Sequence, residues 1–466
     1  MTNQPKKATS RRKPAASKNK VPPTYLRALV IDNILCFKER QKLNLCDSNG
    51  YPAQWTVILG NNGVGKTTIL RCLAGMEMTR YSSSQKKEPY MPILGASRGL
   101  WDIWEELVDI ENSIDTAGIR LNYVSKYTLS ELSQIKLKHS QIPVAMSFSL
   151  VSVGKGRKGD GESSSGLICY GYGATRRIGK SYLGDSNLSL NSASLFSDNA
   201  TLINAEEWLL QTDYAIKSSS GEIHVRLKKE FNRIIEVLKR ILPDIKDIRI
   251  TPADEIYPRP RAEFLTPYGW VRLSSLGLGY RTTIAWMVDL AVRLFKRYPD
   301  SEDPLAEPAI VLVDEIDLHM HPKWQRDIMQ FLTDRFPNTQ FIVTAHSPLV
   351  VQAAQDANIV LLRREGDRVV IDNNPEIIEN WRVDQVLTSV FEMPSARPAK
   401  IEPLLQRRKE LLTKPKLTAS DRAELKELEA KIGTLPTAET SEDIKAMDII
   451  RRAAKLLDQP VTEAVE

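Results

Sequence analysis

Eight consecutive residues have the types and spacing of a phosphate-binding loop. They match the pattern G-x-x-x-x-G-K-[S/T] at every position, as Gly60-Asn61-Asn62-Gly63-Val64-Gly65-Lys66-Thr67. The glycines allow positive φ angles and let backbone N–H groups approach a phosphate closely. In such a loop the lysine contacts the β- and γ-phosphates, and the threonine hydroxyl binds Mg²⁺. We therefore expect this loop, together with Thr68, to hold the phosphates of a nucleotide.

The residues around the loop predict a strand before it and a helix after it. Trp55–Leu59 is an apolar run that favours a strand, and the apolar residues of Thr68–Ala74 recur at helical spacing. Strand, glycine loop and helix form the context that supports the motif. The helix would also point the positive end of its dipole at the phosphates.

Two acidic residues follow a second buried strand. The aliphatic run Ile310–Val313 ends in Asp314 and Glu315. A carboxylate at the end of a strand beside the phosphate loop can hold the Mg²⁺ shell, which is the role expected for Asp314. The next carboxylate can orient or deprotonate the attacking water, which makes Glu315 the candidate general base.

A histidine follows the next predicted strand, Gln340–Thr344. Three of the five histidines of the chain, His319, His321 and His346, lie in this one segment. We expect the imidazole of His346 to stand near the γ-phosphate and to act in catalysis. His319 and His321 have no third ligand at a zinc-like spacing, and we interpret them as part of a connecting loop.

Composition indicates a globular chain with a separate basic segment. The 466 residues suffice for one large or two modest domains. Seven Lys or Arg and no acidic residue lie in residues 1–24, and the other 57 basic residues nearly balance 58 acidic ones. This tail is expected to be disordered, and it would contact DNA or RNA non-specifically or have no partner. The chain contains no stretch of 18 apolar residues, so no membrane span is expected. Four cysteines without a C-x-x-C pair argue against a zinc or disulfide framework and fit a reducing cytoplasm.

Buried aliphatic runs and helical periodicity predict an α/β core. We expect a head over residues 25–372, interrupted by a helical insertion at about 76–245. Residues 373–466 read as a helical appendage, with charged helices at Ile401–Leu412, Ala419–Ile432 and Ser441–Leu457.

The order of these motifs resembles the ABC-type ATPases of the RecF, SMC and OLD group. Between the insertion and the acidic strand, Leu273–Arg281 is similar to their signature loop, which offers a helix N-terminus to a nucleotide held by a second subunit. The segments Leu29–Phe37, Val313–Gln325 and Phe341–Pro348 are similar to the ATPase subunits of Septu anti-phage systems. The likeness covers roughly residues 25–365.

The resemblance implies a P-loop NTPase of ABC-ATPase head type, an α/β fold in which a mixed sheet and a parallel core sheet are flanked by helices. It also implies that ATP and Mg²⁺ are bound between two head domains, in a homo-oligomer. Gly277 and Gly279 would supply the contact from the second copy. It also implies a partner HNH nuclease. The signature usually carries a serine at the position that Gly277 occupies in this chain. Unless Ser274 or Ser275 substitutes for it, the hydroxyl that would contact the opposing γ-phosphate is missing, so we expect slow turnover.

Four functions compete for this pattern. The first is a regulatory ATPase whose nucleotide-dependent assembly controls a bound nuclease. The second is a DNA-repair clamp like RecF or SMC. A long heptad coiled coil between the two halves of the chain would favour this function. A self-contained OLD nuclease would need a TOPRIM domain, and residues 370–466 contain no Asp-x-Asp. The fourth is an ATPase sensor that restrains a toxin, as in PARIS systems, and it shares every motif. The first is the function that we adopt.

Overall fold

Five parallel strands, four of them buried throughout and one in its middle, form the core of a six-stranded sheet. The strand order is β18-β17-β3-β16-β15-β9, and only the edge strand β18 is antiparallel to its neighbour. Parallel strands are covered on both faces, which is why these segments are almost continuously apolar. The core strands are β3 (Trp55–Gly60), β9 (Cys169–Tyr172), β15 (Ala309–Val313), β16 (Thr339–Thr344) and β17 (Asn358–Glu365), with β18 at Arg368–Asp372.

The computed structural model describes residues 24–76, 78–80, 90–92, 116–125, 128–137, 146–153, 167–179, 190–242, 244–375, 382–391, 393, 398–412, 414 and 418–432. The helices in these ranges are α1 (Lys66–Gly75), α2 (Ala193–Phe196), α3 (Ala205–Lys217), α4 (Gly221–Ile241), α5 (Leu278–Arg297), α6 (Pro322–Arg335), α7 (Pro348–Ala353), α8 (Val383–Ser389), α9 (Glu402–Leu412) and α10 (Ala419–Ile432). The remaining strands are β1 (Thr24–Asp32), β2 (Gln41–Asn44), β4 (Met78–Arg80), β5 (Tyr90–Pro92), β6 (Thr116–Ser125), β7 (Thr128–Leu137), β8 (Met146–Val153), β10 (Arg177–Ile178), β11 (Thr201–Leu202), β12 (Asp247–Thr251), β13 (Arg261–Thr266) and β14 (Gly269–Arg272).

A second, antiparallel sheet has the order β2-β1-β6-β7-β8. It differs from the sequence-based expectation, because part of the insertion predicted to be helical adds three strands to this sheet. Strands β6 and β7 pair over their whole lengths, from Thr116 opposite Leu137 to Ser125 opposite Thr128. The described helices of the insertion come later, at α2, α3 and α4. A mixed sheet beside a parallel core sheet with flanking helices is the predicted fold class, which is confirmed.

Helix α1 belongs to one apolar core with both sheets. Seven of its ten residues are buried, including Lys66 at its start. Ile69 and Leu73 share this core with Leu29 of β1 and Ile342 of β16. Because α1 starts at the phosphate loop, this packing fixes the position of the loop against both sheets.

A buried glutamine joins the two sheets directly. The side-chain oxygen of Gln340 on β16 accepts the Leu26 N–H at 2.7 Å, and its amide nitrogen donates to the Leu26 carbonyl at 2.9 Å. The same nitrogen lies 3.3 Å from the Ala53 carbonyl. A buried amide contributes stability only when its donors and acceptor are paired, and this side chain meets that condition.

The opposite face of the core sheet packs against α6. The rings of Trp55 and Phe341 stack with centroids 4.4 Å apart, and Phe336 meets Phe341 edge-on. The indole N–H of Trp55 donates to the Thr333 hydroxyl of α6 at 2.8 Å. These contacts satisfy the one polar atom of a large buried ring, as buried tryptophans require.

The chain divides into two compact units, which meet in sequence between Val386 and Leu387. In the second unit, α9 and α10 are joined by a bidentate contact between Arg407 and Glu424. Three predicted features lie outside the described residues: the basic tail up to residue 23, the loop over residues 154–166 and the helix at Ser441–Leu457. None of the described helices is both long enough and apolar enough to cross a bilayer.

A buried ion pair within α5 is hydrogen-bonded to Tyr172 at the edge of the core sheet. Arg293 donates to Asp289 at 2.6 Å, and their side chains are 6% and 1% exposed. Asp289 also accepts the Tyr172 hydroxyl and the Ile203 N–H, both at 3.0 Å. Burial and the nearby Asp289 charge raise the pKa of Tyr172 above its ordinary value, so the phenol remains a donor.

We expect Asp289→Ala to lower the free energy of unfolding by about 3–5 kcal/mol, because it leaves the buried Arg293 without its carboxylate. Urea unfolding followed by circular dichroism measures this. The matched control is Asp213→Ala on α3, where the partner Lys217 has the same i,i+4 spacing but a side chain 66% exposed. That change should cost about 0.5 kcal/mol or less. Equal losses in the two variants would contradict the assignment.

Candidate functional site

Four parallel strands end at the same edge of the core sheet. Beyond β3 lies the phosphate loop, beyond β15 the acidic pair, beyond β16 His346 and beyond β9 the segment that leads to Arg176. A cavity of about 410 Å³ opens at this edge. It is lined by Leu35, Cys36, Asn62, Gly63, Gly65, Lys66, Thr67, Thr68, Asp314, Glu315 and His346. Most of the residues predicted from sequence to act on a nucleotide thus surround one space.

The phosphate loop needs its glycines for conformation and for close packing. Gly60, Gly63 and Gly65 have φ angles of 146°, 79° and 84°, which confirms the expected positive φ at each. A Cβ atom at Gly60 would lie 2.7 Å from the Leu362 carbonyl oxygen. One at Gly65 would lie 2.7 Å from the Cys36 sulfur. The turn between β1 and β2 therefore packs directly against the loop.

Lys66 curls over the loop that precedes it. Its ammonium donates to the carbonyl oxygens of Gly60 at 2.7 Å and Asn61 at 2.9 Å. Burial lowers the pKa of Lys66, and the nearby charges of Asp314, Glu315 and Asp317 oppose that shift. Helix α1 starts at Lys66 after Gly65, so its N-terminal N–H groups lie at the cavity, where an anion is favoured.

The Asp314 carboxylate accepts a hydroxyl on each oxygen. Thr67 donates to Oδ2 at 2.7 Å and Thr344 donates to Oδ1 at 2.6 Å. A hydroxyl and a carboxylate side by side are oxygen ligands of the kind that Mg²⁺ takes when it also binds phosphates. Thr67 and Asp314 therefore fit the predicted metal role.

Glu315 lines the cavity from a backbone conformation rare for its residue type. Its φ is 47°, in the left-handed region, and its N–H donates to the Thr344 hydroxyl at 2.7 Å. The carbonyl oxygens of Asp314 and Glu315 both accept a hydrogen bond from Arg176. Sequence reasoning gave no role to Thr344 or Arg176. The available signal was an Arg-Arg pair just after a buried strand.

His346 is positioned by Asp317. The His346 backbone N–H lies 3.1 and 3.3 Å from the two Asp317 carboxylate oxygens, and the residue is half-buried at the cavity. His319 and His321 do not line the cavity. His321 instead caps α6 by accepting the Lys323 N–H at 3.3 Å.

Gly277 and Gly279 lie apart from the phosphate loop and do not line its cavity. Gly277 caps the N-terminus of α5 and is exposed, with open space where a Cβ would be. Gly279 packs against the turn after Glu315, since a Cβ there would lie 2.3 Å from the His319 carbonyl oxygen. Ser274 and Ser275 are exposed in the preceding turn. The expected role of this loop towards a second copy stays a prediction.

Two family models match the chain. One, described as "AAA domain, putative AbiEii toxin, Type IV TA system", matches residues 196–352. The other, described as "AAA domain", matches residues 28–163. The first spans the predicted signature loop, the acidic strand and His346, and the second spans the phosphate loop.

Curated relatives match longer stretches. Septu protein PtuA of Bacillus mycoides is 27% identical over 397 residues, which cover 84% of this chain and 48% of the relative. A retron Ec83 probable ATPase of Escherichia coli is 30% identical over 249 residues, covering 53% of this chain and 42% of the relative. The matches therefore span about half of the length of these relatives.

Among solved structures, the SMC head domain from Thermotoga maritima overlaps with a TM-score of 0.39. The sequence identity is 13%, and the overlap covers 75% of this chain and 99% of that chain.

The family models and the relatives agree with the geometry at the sheet edge, where a complete phosphate loop faces an acidic strand end. Together they show that the chain is similar to AAA-domain proteins and to Septu protein PtuA.

Proposed function

We propose that the protein binds ATP with Mg²⁺ and hydrolyses it slowly between two copies of the chain. The observation that carries the proposal is the shared cavity, where parallel strand ends bring Lys66, Thr67, Asp314, Glu315 and His346 together. The cavity also has the positive end of α1 at its wall, which suits a polyphosphate.

Each residue has a role that follows from its position. Lys66 would exchange its two carbonyl partners for oxygens of the β- and γ-phosphates. Mg²⁺, held by Thr67 and Asp314, would neutralise charge on the phosphates. Glu315, the next carboxylate along the cavity wall, would orient the attacking water and accept its proton. His346 would contact the γ-phosphate from the end of the neighbouring strand.

A second copy would complete the site. Gly277 and Gly279 stand at the N-terminus of the 20-residue helix α5 but away from the cavity of their own chain. Their backbone N–H groups would therefore serve a nucleotide held by another copy. Because Gly277 has no hydroxyl to offer the opposing γ-phosphate, the assembly would hydrolyse slowly.

The relatives support a role in bacterial defence. Septu protein PtuA and retron ATPases are the names of the matched proteins. We therefore propose a regulatory ATPase subunit of an anti-phage complex, whose nucleotide-dependent assembly controls a partner HNH nuclease. The ATPase of another defence system remains the second candidate, and the retron relatives favour it. A coiled coil in the insertion would favour the repair clamp, and the described part of the insertion contains strands β6–β8 instead.

We expect Glu315→Gln to keep ATP affinity within about threefold and to lower kcat by about 10²–10⁴-fold, since it removes a general base and keeps the shape. ATP should then hold the oligomer together, as light scattering on a size-exclusion column would show. Lys66→Ala provides the binding-deficient reference, because it removes the buried cation from the loop. Glu365→Gln, at the exposed end of β17, serves as the matched control. Wild-type turnover in Glu315→Gln would remove Glu315 from the base role.

We expect Gly277→Ser to strengthen ATP-dependent dimerisation and to raise kcat by about tenfold, the gain of one added hydrogen bond to a charged group. The added side chain enters open space and needs no unusual φ, since Gly277 lies at −56°. Gly277→Val in the same space should block the dimer while leaving ATP binding by the monomer intact. Analytical ultracentrifugation with and without ATP measures both. Dimers of unchanged affinity in both variants would exclude this loop from the interface.

The partner proposal is tested through the adjacent gene. Co-expression of the tagged chain with the product of its neighbouring open reading frame should copurify an HNH protein, in amounts that change between wild type and Lys66→Ala. Recovery of a toxin with a TOPRIM-like domain would support the second candidate instead. The absence of any copurifying neighbour would contradict the assignment to a two-protein defence complex.

A further inference from the structure

Arg176 is a fully buried arginine beneath the acidic strand end. It follows β9, has a φ of 38° and is 1% exposed. Its Nη2 atom donates to the carbonyl oxygens of Asp314 and Glu315, both at 2.6 Å. The side chain does not line the nucleotide cavity. It therefore contacts two of the site residues through their backbone without lining the cavity itself.

The burial of Arg176 does not favour the stability of the folded chain. The Nε and Nη1 atoms of Arg176 are buried and have no hydrogen-bond partner among the described residues. Burial lowers the pKa of Arg176 to about 10, against the nearby charges of Asp314, Asp317 and Glu315, so the group is a cation at neutral pH. A buried cation with two unpaired donors is unfavourable compared with an apolar side chain of the same size. Residues that are unfavourable for stability are expected at functional sites, where another requirement selects them.

The two hydrogen bonds act on a strained peptide. Glu315 occupies the left-handed region, which is sparsely populated for residues other than glycine. Both carbonyl oxygens, one on each side of its Cα atom, converge on a single nitrogen of Arg176. From the other side, the Thr344 hydroxyl accepts the Glu315 N–H and the Thr344 carbonyl accepts the Ile316 N–H at 3.0 Å. The backbone of Glu315 is thus held from two neighbouring strands.

We propose that Arg176 is a positioning residue, whose guanidinium holds the backbone of Asp314 and Glu315 in the conformation that directs the Glu315 side chain into the cavity. The inference rests on the proposed hydrolysis. It assigns Arg176 to the chemical step and not to nucleotide binding. Among the described residues, the hydrogen bonds of Arg176 go to Asp314 and Glu315 and not to the phosphate loop or Lys66.

The test compares neighbouring arginines in the full-length protein. Arg176→Met keeps an unbranched side chain and removes both hydrogen bonds, and we expect kcat to fall by about 10- to 100-fold. The Kd for ATP and the midpoint of thermal unfolding should stay near wild type, a separation that a merely structural role would not produce. Arg176→Lys retains a cationic donor and should recover part of kcat. Arg177→Met is the matched control, because Arg177 is exposed and bonds to Asn199.

Two results would overturn the inference while leaving the proposed function intact. One is wild-type kcat in Arg176→Met alongside an inactive Glu315→Gln. The other is a parallel loss of ATP affinity, unfolding midpoint and kcat in Arg176→Met, which would mark a structural side chain. A wild-type protein that does not hydrolyse ATP with Mg²⁺ would overturn the proposed function itself, and this inference with it.

Discussion

Asp314 is hydrogen-bonded to three other elements or segments of the site. Its two carboxylate oxygens accept hydroxyls from α1 and from β16. Its backbone N–H donates to the Tyr172 carbonyl at 2.8 Å, and its own carbonyl accepts from Arg176. A side chain only 5% exposed thus joins the ends of β9, β15 and β16 to the helix that carries the phosphate loop. A buried carboxylate is tolerable only when its oxygens are hydrogen-bonded, which the hydroxyls of Thr67 and Thr344 provide.

The same strand end also determines where the backbone is strained. Glu315 and His319, at the two ends of the turn after β15, both have positive φ angles although neither is glycine. The His319 carbonyl packs against Gly279, while the carbonyls of Asp314 and Glu315 meet Arg176. One turn therefore lies between the nucleotide cavity and the N-terminus of α5. Strain concentrated at one turn is typical of functional sites, where the surrounding structure holds an unfavourable conformation in place.

What could be predicted from the sequence was local. The phosphate loop, the acidic strand end and His346 lie in short motifs whose strands are read directly from apolar runs. The β6–β7 hairpin was not predicted, because its alternation is mixed with polar residues and its other partner, β1, lies about 90 residues earlier. Arg176 was missed for a similar reason, since its partners are backbone carbonyls 138 and 139 residues away that leave no side-chain pattern. Long-range pairing is a tertiary property, and residue types in one window do not encode it.

The order of strands in the core sheet also has a consequence for synthesis. Strand β3 ends at Gly60, yet both of its neighbours, β16 and β17, begin beyond residue 338. At about 5–20 residues per second, a ribosome needs roughly 15–60 s between these segments. During that time the nascent chain exposes an unpaired apolar strand that already carries the complete glycine loop. A prematurely released polypeptide would therefore be a client for chaperones and proteases, and no ATP-consuming fragment would accumulate.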